Sequence, residues 1–154
     1  MKKSTKRFLA IGLVIGFAAF NVLTQESNKL AVLIGTDWYQ DTASHNDIEA
    51  MHKALRERGF SAEEIVSLDG NLSRSMVVSF LMQIQKRTAL WKNGTVFLYY
   101  SGHGTYQRIS ETEVEPGLSL NRNFEAVEQK LLWREVFETL KLPPQVKLLL
   151  LPDN

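Results

Sequence analysis

The chain has 154 residues, of which 44% are hydrophobic and 23% charged, a length and balance suited to one globular domain with a real core. It contains no cysteine, which excludes disulfides, thiolate metal sites, a lipid-modified N-terminal cysteine and a cysteine nucleophile drawn from these residues. The net charge of +1 hides an asymmetry: Lys2, Lys3, Lys6 and Arg7 stand near the start, leaving 14 of the 18 basic residues against all 17 acidic ones, or −3. A slightly acidic body gives no reason to expect nucleic-acid binding.

Residues 1–24 read as an export signal or membrane anchor. A basic segment precedes an unbroken apolar stretch over residues 8–20, the order of the n-region and h-region of a secretory signal. The cleavage pattern at Val22-Leu23-Thr24 is only fair, and the stretch is slightly shorter than the roughly 20 residues of a full span, so both a cleaved signal and an uncleaved anchor fit. Either would place the protein outside the cytoplasm or on the cytoplasmic membrane.

The body, residues 30–154, alternates strand and helix patterns. Residues 30–35 are a short continuous apolar run, expected as a strand covered on both faces. Residues 46–58 are expected as a helix, with Asn46 and Glu49 forming a capping box, Ile48, Met51 and Leu55 on one face, and Gly59 ending it. Residues 65–68 form the second strand, closed by Asp69-Gly70-Asn71. A helix from Asn71 or Ser73 to about Leu90 carries Val77, Phe80, Leu81 and Ile84 on its apolar side. Residues 95–100 are the third strand. Residues 105–122, polar and containing Pro116-Gly117, read as a long loop, a feature often functional in a compact domain. Residues 124–140 read as the third helix and residues 146–151 as the fourth strand. Strand–helix–strand alternation gives an α/β fold of three layers, α/β/α, around a mainly parallel sheet of about four strands and three helices.

Ligands of such sheets bind beyond the carboxyl ends of the strands. Gly35-Thr36-Asp37, Ser101-Gly102-His103-Gly104 and Pro152-Asp153-Asn154 all fall at those ends and would meet at one crevice. A histidine between two glycines has no packing reason for its neighbours, whereas glycines allow a sharp turn and a close approach to a substrate. His45 and His52 have no third ligand beside them and read as exposed helix-flank residues, so no metal is implied. Neither a G-x-G-x-x-G nor a P-loop is present, and no cofactor is implied. Asp37 reads as a turn residue, and Trp91 and Trp133 as core or partial core.

Tyr99-Tyr100-Ser101-Gly102-His103-Gly104 after an apolar strand resembles the histidine motif of the caspase-like cysteine peptidases, in particular the metacaspase and bacterial caspase branch (peptidase C14). Ala31 to Gly35, Asn46-Asp47 with Met51, Leu55 and Gly59-Phe60, and Leu142-Pro143 with Val146 to Leu150 resemble further family segments in the same order. Asp153-Asn154 matches the first two positions of the family's Asp-x-Cys signature, whose cysteine would be the next residue. The resemblance implies a caspase-like endopeptidase, in which a histidine serves a cysteine thiolate that attacks the scissile carbonyl. Carried over, His103 is the base and Gly104 the oxyanion donor, while Asp47 and Ser101 match positions lining an acidic pocket for Arg or Lys at P1. Asp47 reads equally as a carboxylate favoured in a helix's first turn, and Ser101 as a strand-end residue. Position 44 is serine where many metacaspases have cysteine, and the acidic segment after the histidine motif departs from the family's usual one.

The 154 residues would therefore be the N-terminal, large-subunit-like part of such a domain, inactive alone, with a peptide substrate once completed. The expected partners are a complementing C-terminal fragment, or self-association through the open edge of the fourth strand. The alternative is a non-catalytic homologue, a pseudoenzyme acting as an exported or tethered binding module.

Overall fold

The computed structural model describes residues 28–37, 43–120 and 129–153. Within them the elements run β1 (Asn28–Thr36), α1 (Ala43–Glu57), β2 (Ile65–Gly70), α2 (Arg74–Thr88), β3 (Gly94–Ser101), β4 (Gly104–Arg108), β5 (Val114–Ser119), β6 (Lys130–Leu132), α3 (Trp133–Leu140) and β7 (Val146–Asp153). Four strands form a parallel sheet in the order β2-β1-β3-β7, and three form a small antiparallel sheet in the order β4-β5-β6. The expected signal or anchor segment lies outside the described residues. Among those described, no helix is long and apolar enough to cross a membrane.

The parallel sheet is sandwiched as its strand sequences require. Alternation sends Leu30, Val32, Ile34, Val96, Leu98 and Tyr100 to one face, where Val77, Leu81 and Ile84 of α2 and Val136 and Leu140 of α3 cover them. Ala31, Leu33 and Tyr99 point the other way, against Ile48 and Leu55 of α1. Burying each large aliphatic side chain contributes roughly 1.5–3 kcal/mol, so the two faces together hold most of the driving force. The chain passes from β1 through α1 to one side of the sheet, and from β2 through α2 to the other. Right-handed crossovers then put α1 and α2 on opposite faces and make the carboxyl ends of β1 and β3 the switch point of the sheet.

Several expectations are corrected. α1 starts at Ala43, so Asn46 lies inside the helix and does not cap it, and Asp47 lies beyond the first turn. Ser44 instead ties the helix start to β1, its hydroxyl donating to Asp37 at 2.6 Å. The helix does end at Gly59, with φ +86°, and Phe60 packs back against the α1 side of the core. α2 begins after Ser73, whose hydroxyl accepts from the amide of Met76 at 3.3 Å. Residues 105–120 are not a loop but the hairpin β4–β5. Pro116 is compatible with a strand there because it sits at a non-hydrogen-bonded position opposite Tyr106, and β6 begins pairing only at Gly117. The third helix is shorter than expected: residues 130–132 form β6, and α3 starts at Trp133. Residues 121–128 lie outside the description. Trp91 and Trp133 are partly buried against the core.

β7 borders only β3 among the described residues. The amide of Gly102 donates to the carbonyl of Asp153 at 3.2 Å, so Asp153 faces β3 and the even-numbered residues of β7 face outward. Pro152, without an N–H, falls on that outer rim, where edge strands tolerate proline. Leu149, Leu150 and Leu151 are 55%, 37% and 46% exposed.

α2 and α3 are joined by a bidentate pair, Arg74 to Glu135 at 2.7 and 3.1 Å, while the Glu135 carboxylate also accepts the Leu132 amide at 2.9 Å. The hydrogen bond from Arg74 holds the Glu135 carboxyl below its ordinary 4.5. Its contribution to stability is fully present above pH 4.5 and is lost as pH falls through the lower folded value. Because both side chains are partly solvated, Glu135→Gln should lower stability at neutral pH by only about 1 kcal/mol. Urea melts repeated between pH 6 and pH 3 should show a shallower acid decline in the variant than in the parent.

Candidate active site

The register of the parallel sheet places Gly35, Ser101 and Asp153 side by side across β1, β3 and β7. The three strand ends noted in the sequence therefore do meet. At this line β3 leaves the sheet through Gly102. That residue has φ +153°, and a Cβ there would overlap Thr36 Oγ1 and stand 2.7 Å from the Tyr100 hydroxyl. Only glycine lets the chain turn over this hydroxyl pair. The turn delivers His103 to solvent, where its side chain is exposed.

His103 is held through its backbone. Its carbonyl accepts the Ser119 amide at 2.9 Å and the Tyr100 hydroxyl at 2.9 Å. The first of these bonds makes Gly104 and Leu118 a non-hydrogen-bonded pair. The N–H of Gly104 consequently points away from β5, toward the outer edge of β4, the end strand of its sheet. An exposed imidazole is thus followed directly by an outward-facing amide.

On the α1 face the same strand builds an acidic cluster. Tyr99 and Ser101 alternate with Tyr100 and so face α1. The Ser101 hydroxyl donates to Asp47 at 2.8 Å, and the Tyr99 hydroxyl donates to Asp153 at 3.2 Å. Burial first, then the carboxylate of Asp153, pushes the Tyr99 hydroxyl up to about 12, so it stays a donor at every physiological pH. The sequence points to Asp47 and Ser101 as pocket residues, but offers Asp153 only as a crevice residue and signature position and Tyr99 only as part of the histidine motif. The parity of Tyr99, Ser101 and Asp153 along paired parallel strands was the available signal.

The remaining sequence candidates lie elsewhere. Asp37 receives Ser44, as a turn residue would. His45 Nδ1 meets Asp69 Oδ2 at 2.5 Å, and its Nε2 is 3.4 Å from Glu49. His45, His52 and Asp69 line a cavity of about 440 Å³ between α1 and β2, on the far side of β1 from β3. Among the described residues, no group of three or more His, Asp or Glu side chains is arranged to hold a metal.

A sequence model of the peptidase C14 caspase domain matches residues 28–147. The match covers most of the chain, taking in β1, β2, β3 and the first two residues of β7, and the chain belongs to the caspase-domain family. No curated protein matches the sequence. The mainly parallel four-stranded sheet with three helices is consistent with this family's α/β fold.

Two outcomes test the geometry. Gly102→Ala should destabilise the protein by at least about 2 kcal/mol, through positive φ and overlap with Thr36 together, measured by denaturant melts. The hydrogen bond that the His45 ring donates to the Asp69 carboxylate raises the His45 pKa above 6.5, so the ring should titrate above that value by NMR and return toward it in Asp69→Asn.

Proposed function

We propose that this chain is the histidine-bearing part of a caspase-like cysteine endopeptidase that cuts after Arg or Lys. One observation supports the reading: past the turn at Gly102, which is bonded to the end of β7, an exposed histidine is followed directly by the outward-facing N–H of Gly104. That is the layout of a base and an oxyanion donor. Since the sequence holds no cysteine, the thiol comes from outside these 154 residues, and the chain alone is inactive. The outer edge of β7, with its three exposed leucines, suits the strand of a cysteine-bearing partner segment.

In the completed site His103 takes the thiol proton, and the thiolate forms a C–S bond with the scissile carbonyl carbon. The Gly104 amide donates to the oxyanion that develops. His103 then gives its proton to the leaving amine as the C–N bond breaks. Water, deprotonated by His103, attacks the thioester and releases the acid and the thiol. Asp47 and Asp153, with Ser101 and Tyr99 between them, form the pocket for a cationic P1 side chain, where a carboxylate gives charge-assisted hydrogen bonds. Residues 1–24 serve to export or tether the domain, in the manner of a metacaspase-like protein acting outside the cytoplasm or at its membrane.

A second reading, a non-catalytic pseudoenzyme that binds peptides, is favoured by the missing cysteine itself. Appending a cysteine after Asn154 separates the two. Under the peptidase reading, iodoacetamide at pH 7 should alkylate that thiol roughly tenfold faster than in the same chain with His103→Ala. The extended chain should also hydrolyse an arginyl fluorogenic peptide, with KM rising about tenfold in Asp47→Asn. Equal alkylation rates with and without His103, and no hydrolysis, would reject the peptidase and leave the binding module.

A further inference from the structure

We infer that the buried hydroxyl pair Tyr100 and Thr36 is the positioning device for His103, fixing where its imidazole stands without touching the ring. This rests on His103 being the working base, as proposed above. The His103 side chain is exposed, and the path of its backbone sets the point from which the ring extends. That path is tethered at the His103 carbonyl, and one of its two donors is the Tyr100 hydroxyl at 2.9 Å.

The tether is itself locked. Tyr100 is fully buried and Thr36 is 2% exposed. Their hydroxyls lie 3.1 Å apart, and both reach the carbonyl of Ser119, at 3.0 and 3.3 Å. Two hydroxyl protons thus serve the carbonyls of His103 and Ser119, joining the end of β1, the end of β3 and the last residue of β5 at one point. Burial pushes the Tyr100 hydroxyl up to about 12, so it keeps its proton throughout the working pH range. Trp133 meets the Tyr100 ring edge-on at 6.3 Å and fixes its direction. Gly102 belongs to the same device, since any side chain there would occupy the space of the two hydroxyls.

The pair is not needed to fill space in the way a core leucine is. Tyr100→Phe keeps the ring and its packing and removes one donor to His103, while the Ser119 amide still reaches that carbonyl. The predicted signature is therefore a change at His103 out of proportion to the loss of stability.

The test is a ¹H–¹³C NMR spectrum of the full chain labelled at histidine. The sequence has only three histidines, which His45→Gln and His52→Gln assign. Tyr100→Phe should cost a few degrees of Tm, and shift or broaden the His103 ring signal while leaving His45 and His52 in place. Carbethoxylation of His103 should change by at least about threefold. Val77→Ala, a cavity in the same core that removes no hydrogen bond of this network, should cost at least as much Tm and leave the His103 signal unmoved. Thr36→Val should reproduce the Tyr100→Phe effect, and Thr36→Ser, which keeps the hydroxyl, should not. If Tyr100→Phe fails to fold, the two Thr36 variants decide. An unchanged His103 signal in Tyr100→Phe and Thr36→Val, or an equal change in Val77→Ala, would overturn the inference. None of these readings depends on peptide cleavage, so a failed peptidase assay leaves them standing.

Discussion

The site depends on β3 being paired on both sides, to β1 and to β7, in one parallel register. Pairing fixes which residues lie level at the carboxyl end of the sheet, and the two-residue period of the strand fixes which face each one serves. Tyr99 and Ser101 then have to point at α1, and Tyr100 has to point at α2 and α3. A slip of one residue would exchange the acidic cluster for the hydroxyl tether and remove both. The buried apolar residues of β3, Val96, Leu98 and Tyr100 on one side and Tyr99 on the other, are what prevent that slip.

Consequently the two halves of the site are built on opposite faces of a single strand. The α1 face gathers Asp47, Ser101, Tyr99 and Asp153 into a region suited to a cation. The other face holds Thr36, Tyr100 and Ser119, which meet the chain again where it turns at Gly102. Recognition and placement of the imidazole can be altered separately, because the groups that do each share no side chain. The electrostatic half is partly solvated and charged, whereas the Tyr100 and Thr36 hydroxyls are neutral groups on buried residues, so the former should respond more to salt.

Much of this was legible in the sequence, for identifiable reasons. The strands of the parallel sheet are continuous apolar runs, and α1 and α2 carry apolar residues at helical spacing, so burial wrote both patterns directly. Ser101, His103 and Gly104 stand out because glycines flank a histidine at a strand end. The hairpin was not legible, because β4 is mostly exposed, β5 buries only its last three residues, both carry little apolar alternation, and β5 contains a proline that reads as a break unless its register is known. The start of α3 was misplaced because Leu131 and Leu132 continue the helical spacing of Val136 and Leu140, although they belong to β6. The cap of α1 was misplaced because Asn46 is a good capping residue in the wrong place: the helix starts three residues earlier, at Ala43, and is tied to the end of β1 through Ser44 and Asp37. The roles of Tyr99 and Tyr100 depend on contacts between distant segments, and local pattern alone does not carry them.

Pro152 gives the outer rim of β7 a polarity. Along that rim the amides of Leu148 and Leu150 face outward, that of Val146 is already bonded to the carbonyl of Pro143 at 2.9 Å, and the position of Pro152 has only a carbonyl to offer. A strand laid against β7 thus finds two outward donors, at Leu148 and Leu150, and only an acceptor at position 152. Sliding the newcomer past Leu150 toward Asp153 leaves one of its acceptors facing a position with no N–H. The proline works as an end stop that indexes an incoming strand, and it does so beside the place where Gly102 and Asp153 hold the mouth of the site together.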